Sequence, residues 1–349
     1  MPLIQRPWSI NSYALSKVWF KCSSVDLRTQ DSSSITSKIK TWLYADQLER
    51  PEDMINYRPV HLGGLGLHHV HLKSQAILIR SFLETAVHPA YLHSLLHTSL
   101  FRYHILEHRD LEDPGNHPFY SRDFFDTIKY FHKKVPRGVA TLTSAEWYNL
   151  LIKDKLLMMN TEENSHEEYK PCKAELEAPT NDWEGLWRLA RLPGLSPEMK
   201  TFLWKLLHKI LPTQDRLLRM KKSKSPLGHC QLCQDEVVED LEHALITCQF
   251  NQNVGNLLLH GVASMVPNIT TNQVLRLELD VVATKELPLV LVIGHTLESI
   301  WSRRMKKIQI QPFLIRSDLE AKANLLRETR FRNEAVLLME MIQQCFQII

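Results

Sequence analysis

The stretch HCQLCQDEVVEDLEHALITC, residues 229–248, constrains the fold of this chain more than any other. Cys230 and Cys233 are separated by two residues, His243 follows after nine more, and Cys248 after a further four. A C-x2-C pair lets one tight turn aim two thiolates at a common centre, with the following backbone N–H groups free to bond to the sulfurs. Three thiolates and an imidazole in this grouping suit a closed tetrahedral Zn²⁺. The expected ligands are therefore Cys230, Cys233, His243 and Cys248, with His229 as a competing neighbour. The alternative is a pair of buried cysteines and a core histidine, which C-x2-C alone would leave competitive. Four protein ligands leave no open position for water, so the expected role is structural and not catalytic. Gly228 eases the turn before the pair.

VVEDLEHALIT reads as a helix carrying His243. In an unbroken α-helix, residues five apart do not share a face. Cys248 therefore belongs where that helix frays or ends. Glu236, Glu239 and Glu242 read as its exposed surface. The H-x-E and P-C-x-x-C combination of zinc deaminases is absent.

The rest of the chain predicts a mostly α fold: a helical N-terminal region, a linker, then a helical domain with a small structural zinc site. Helical periodicity marks INSYALSKVWF, SSSITSKIKTWLYADQLE, SQAILIRSFLETA and TSAEWYNLLIKDKLLMM, the last with Thr143 or Ser144 as cap and Glu146 as its capping-box partner. Between them RPVHLGGLGLHHVHLK breaks the pattern, and Gly63, Gly64 and Gly66 permit a tight turn or positive φ. MKTFLWKLLHKIL turns Phe202, Leu203, Leu206, Leu207 and Ile210 inward, and Thr213 or Asp215 caps the next helix. SDLEAKANLLRETRFRNEAVLLMEMIQQ reads as one final helix. The expected organisation is 1–159 helical, 160–181 an acidic linker, 182–280 the helical zinc-binding segment, and 281–349 the C-terminal helices.

Charge is segregated along the chain. The formal net charge is only +3, yet residues 200–224 hold eight basic side chains against Asp215 alone. Residues 162–184 hold eight acids against two lysines. A one-sign patch is often only a solvated face. Beside a zinc segment, it points to phosphate, attracted through counterion release. The expected nucleic-acid contacts are Lys205, Lys209, Arg216, Arg219, Lys221, Lys222 and Lys224, with Trp204 and His208 as residues that could stack on a base. MKKSKS reads as a flexible basic connector. WSRRMKK, residues 301–307, reads either as an extension of that surface or as helix-end charge. Six cysteines are too sparse for a disulfide framework, no signal peptide opens the chain, and LPLVLVI is too short to span a bilayer. An intracellular, reducing setting with no membrane partner is expected; nucleus and cytoplasm are not distinguished.

Other stretches imitate sites without completing them. Tyr44-Ala45-Asp46-Gln47 lacks the adjacent carboxylates that two-metal phosphoryl transfer needs. HLGGLGLHHVHLK fits neither a P-loop nor a dinucleotide fingerprint. Its His61, His68, His69 and His71 have no supporting thiolates.

Five stretches together carry a resemblance: INSYALSKVWFKC, RPVHLGGLGLHHVHLKSQAILIRSFLETA, DWEGLWRLARLPG, FLWKLLHKILPTQDRL and CQLCQDEVVEDLEHALITC. The chain resembles the C-terminal part of the polyprotein of LINE-type, non-LTR retrotransposons, over nearly its whole length. There the order is endonuclease, reverse-transcriptase fingers and palm, helical thumb, linker, and a cysteine–histidine zinc segment. The resemblance implies that residues 10–48 match the thumb, and that the zinc ligands carry over onto Cys230, Cys233, His243 and Cys248. It also implies binding of RNA or DNA, and a second protein encoded by the same element as a partner. The palm with its catalytic carboxylates and the endonuclease are missing, so neither polymerase nor nuclease activity is expected of this chain alone. Two alternatives stay open: a zinc-stabilised scaffold whose C-terminal helix docks on a protein, and a retrotransposon remnant without function.

Overall fold

The computed structural model describes residues 1–23, 27–45, 50–51, 53–87, 127, 130, 142–162, 183–223, 225, 227–233, 236–309 and 311–346. The expected linker lies outside the described residues from 163 onward, as do Lys224 and the Asp46-Gln47 pair. Helices make up the architecture, and there is no strand among the described residues. No described helix is long and apolar enough to cross a membrane. The chain forms two compact units: one from Met1–Gln5, Asp46–Leu65 and Lys170–Ile349, the other from Arg6–Ala45 and Gly66–Tyr169. The unit that holds the metal ligands thus takes in a segment from within the first 159 residues, and it runs undivided across residue 280.

The second unit is built on helices α1 (residues 6–22, with a π-type turn over Ile10–Ala14), α2 (Thr29–Tyr44), α4 (Val70–Val87) and α5 (Ser144–Glu162). Helix α3 (Asp53–Tyr57) belongs to the first unit. Helix α4 is the centre of its unit and packs on α1, α2 and α5, burying Val70, Ala76, Leu78, Ile79 and Phe82. Helix α5 starts at the capping box its sequence predicts. The Thr143 hydroxyl accepts from the Glu146 amide at 3.3 Å, and the Glu146 carboxylate accepts from the Thr143 amide at 2.7 Å. His68 and His69 meet Tyr148 of α5, one through its ring and one through its backbone amide. Burial holds the pKa of both histidines down at about 4. No metal-holding group forms from the four histidines of residues 61–71 among the described residues.

The first unit is organised around α11 (Ala283–Met305), preceded by α6 (Trp183–Leu189), α7 (Pro197–Leu207), α8 (Gln214–Arg219), α9 (Gln252–Met265) and α10 (Thr271–Arg276). It is followed by α12 (Pro312–Arg327) and α13 (Arg332–Phe346). The run LPLVLVI is buried on nearly every side because α11 packs on α6, α7, α9, α12 and α13. Ser196 caps α7 and Thr213 caps α8 by accepting a backbone N–H. The expected single C-terminal helix is two. Ile315, Leu319, Ala323 and Leu326 face the core, and the next core residue is Ala335, nine positions on. Nine residues are about two and a half helical turns, so a straight helix would point Ala335 to the opposite side. A turn at 328–331 restores the phase, and α12 and α13 pack together.

Three blocks that are far apart in sequence meet in this unit. Gly63, at φ +81°, ends a short 3-10 turn over Val60–Leu62. Its carbonyl accepts from Trp204 Nε1 at 2.7 Å and sits 2.8 Å from His208 Nε2. Trp187 of α6 stacks on His208 with 4.6 Å between ring centres. A Cβ at Gly63 would lie 2.2 Å from the Trp187 ring, so the site demands glycine twice over. Arg191 donates to the Gly64 carbonyl at 2.7 Å. The Gly-Gly loop is thus a plug in a socket made by Trp187, Arg191, Trp204 and His208. Trp204 and His208 are buried in this contact and present no face to a base.

Candidate metal centre

The cysteine pair is held by a short antiparallel pairing and not by a helix. Cys230 donates its amide to the Val237 carbonyl at 2.9 Å, and Glu239 donates to Gly228 at 2.9 Å, bracketing a bridge between His229 and Val238. Gly228 takes φ +69° to enter the turn, as expected. Val237 and Val238 therefore depart from the helix that their segment predicts. β-Branched side chains tolerate an extended backbone, and Asp240 delays the helix start. The Asp240 carboxylate accepts from the His243 amide at 2.7 Å, which caps the turn that follows.

That turn is π-type over His243–Thr247 and ends at Cys248, whose backbone is extended with φ −63° and ψ 127°. The Cys248 amide donates five residues back to His243 at 2.9 Å. In an α-helix two residues five apart would sit about 140° apart around the axis. The wider turn reduces that angle, and its termination turns the Cys248 side chain toward the imidazole. Cys248 lies at the helix end, where the spacing requires it.

All four donor atoms lie within 4.8 Å of one another. The Cys230 and Cys248 sulfurs are 3.8 Å apart, and Cys233 Sγ is 3.4 Å from His243 Nε2. Zn–S bonds of about 2.3 Å and a Zn–N bond of about 2.0 Å at a tetrahedral centre put two sulfurs about 3.8 Å apart and sulfur and nitrogen about 3.5 Å apart. These two edges match this size, and the remaining ones stay within 4.8 Å. The donor set also fits Zn²⁺ in its chemistry. The Leu232 amide lies 3.4 Å from Cys230 Sγ, the N–H···S contact of a C-x2-C knuckle. Cys230 is pulled well below an ordinary thiol, first by the bond to Cys248 and further by backbone N–H groups and Arg304. Zinc, when bound, would serve as a closed cross-link between the 230–233 turn and the 243–248 turn. His229 is not in the cluster; its amide donates to Ser225.

Two residues outside the predicted set complete the surroundings. Arg304, in the last turn of α11, donates Nη1 to Cys248 Sγ at 3.3 Å and Nη2 to Cys230 Sγ at 3.0 Å. The same Nη2 meets Glu239 at 2.6 Å. Arg304 and Glu239 are only 4% and 5% exposed. Glu239 is thus not helix surface. Burial pushes its carboxyl above the ordinary value while Arg304 pulls the other way. Nothing in the sequence marks Arg304 apart from Arg303, since its partners are 56 and more positions away.

The basic residues separate into two kinds. Arg219, Lys221 and Lys222 are exposed, and Lys205 and Lys209 are half-buried. Arg219 pairs with Asp215 at 2.7 Å across one helical turn. Arg216 is buried: it donates to the Ile210 carbonyl and, at 3.0 Å, to the Arg50 carbonyl. It joins two chain segments and is withdrawn from the surface. The start of MKKSKS is not a loose connector, because Lys221 and Lys222 donate to Leu218 and Leu217 in a turn that closes α8.

Residues 164–254 match the family model described as zinc-binding in reverse transcriptase. The match includes all four donors and covers about a quarter of the chain. No curated protein matches the chain. No solved structure matches it. The segment around the donors is therefore a reverse-transcriptase-related, zinc-binding type of region.

Proposed function

We propose that this chain is a zinc-stapled, nucleic-acid-binding portion of a LINE-type retrotransposon reverse transcriptase, with polymerisation and strand cleavage supplied by parts that it does not contain. The observation that carries this reading is the closed cluster of three cysteines and one histidine lying inside the reverse-transcriptase zinc-binding match. A closed cluster supports shape, so the work falls to the side chains it positions. Those are Lys205, Lys209, Arg219, Lys221 and Lys222, and together with Lys224, which lies outside the described residues, they would neutralise phosphates of RNA or DNA without reading sequence. Arg216 supports them from inside. A second protein encoded by the same element would be a further partner.

Binding of labelled single-stranded RNA, single-stranded DNA and duplex DNA across a salt series tests this reading. Six phosphate contacts predict a loss of about a thousand-fold in affinity between 50 and 200 mM salt. The double substitution K221E/K222E lowers affinity for every sequence alike and flattens the salt slope. A folded chain that binds none of the three ligands at low salt would refute the proposal.

A further inference from the structure

Arg304 has an unusual environment for an arginine. It lies at the end of a helix whose next residues, Lys306 and Lys307, are exposed. Its own guanidinium is turned inward, almost wholly removed from water. Burying a guanidinium against one carboxylate is costly, and such a pair rarely improves stability by itself. Here the carboxylate is only one of three acceptors, the others being the sulfurs of Cys230 and Cys248. Those two sulfurs come from opposite halves of the donor set, one from each turn.

Charge gives the reason for this arrangement. Three thiolates, one neutral imidazole and one Zn²⁺ sum to −1 in a buried site. A single fixed cation beside the sulfurs offsets that charge where the sulfurs lie, and the Glu239 carboxylate that shares the guanidinium leaves the buried group as a whole at −1. Arginine suits the position better than lysine, because its planar fork can reach two sulfurs while a third partner holds it in place. Glu239 is that third partner, and its backbone is itself part of the knuckle through the bond to Gly228.

We propose that Arg304 and Glu239 are positioning residues of the metal centre: Arg304 neutralises and orients the Cys230 and Cys248 thiolates, and Glu239 fixes Arg304. The centre is then a joint between the knuckle and α11, and metal occupancy and the docking of the α11 C-terminus reinforce each other. Partners outside the direct ligands commonly change metal affinity ten- to a hundred-fold when removed.

This inference rests on the zinc-binding reading, and cobalt separates the two. The full-length chain is loaded with Co²⁺, its thiolate-to-metal charge-transfer band is recorded, and zinc affinity is measured by competition with a chelator. R304M is expected to lower zinc affinity ten- to a hundred-fold and to move the charge-transfer band to lower energy, because thiolates that lose N–H donors release electrons more readily. R304K, which keeps the charge but not the fork, should recover part of the affinity. E239Q should give a smaller loss with the same sign. A merely structural role would lower thermal stability without moving the band. Should R304M not fold, R304K and E239Q carry the test. An unshifted band together with a zinc affinity within twofold of the unmodified protein in the folded variants would overturn the inference alone. Failure of the unmodified chain to take up cobalt would overturn the zinc reading with it.

Discussion

Arg216 and Lys221 stand five residues apart, belong to the same basic run, and do opposite things. Arg216 spends its donors on the Ile210 and Arg50 carbonyls, inside the fold. Lys221 is exposed in a turn at φ +55°. R216A should therefore cost about 3 kcal/mol in chemical unfolding, because the buried Ile210 carbonyl and the partly buried Arg50 carbonyl both lose a charged donor. K221E should leave the unfolding midpoint nearly unchanged. His208 gives a second prediction at this scale. Burial lowers its pKa to about 4 from 6.5, so the folded state resists protonation that the unfolded chain accepts. The stability it contributes is fully present above pH 6.5 and is lost as pH falls toward 4. H208Q keeps a donor for Gly63 but cannot be protonated. Unfolding midpoints measured from pH 7 to 4.5 should fall less steeply in H208Q than in the parent chain. An equal slope would show that His208 is not responsible. The sequence marks Trp204, His208 and Arg216 as aromatic and basic, which is also what a nucleic-acid surface looks like. Their partners at Gly63 and Arg50 are over 140 positions away, beyond the reach of local pattern.

Elements were legible where one local rule decides them. The Thr143–Glu146 capping box, the Thr213 cap and the Cys248 terminus all follow from side chains within a few positions. Val237 and Val238 were misleading because the pull on them comes from Gly228 and Cys230 across a bridge. The break between α12 and α13 was legible in principle, from the change of phase between Leu326 and Ala335, but continuous helix-forming residues hide it. Asp240 shows how a small element controls the site. Its carboxylate caps the turn that carries His243, and zinc binding and local folding are one process at such sites. D240A should weaken the turn by about 1 kcal/mol, seen as roughly fivefold lower zinc affinity with the ligand set intact. Unchanged affinity would mean that the turn forms without its cap.

At the scale of the whole molecule, a net charge of +3 conceals the segregation of cations beside the metal cluster. The mostly helical class and the four donors were readable from periodicity and spacing, since both depend on short intervals in the chain. The way the first unit joins Asp46–Leu65 to the zinc-bearing half was not, because only the packed fold brings a glycine loop into its aromatic socket. The proposed metal cross-link between the 230–233 and 243–248 turns is the central feature of this unit. Elemental analysis of the purified full-length chain and of C233S tests it directly. About one zinc per chain, lost in C233S together with the local structure of residues 229–248, is the predicted result. A metal-free parent chain, or full zinc content in C233S, would contradict it.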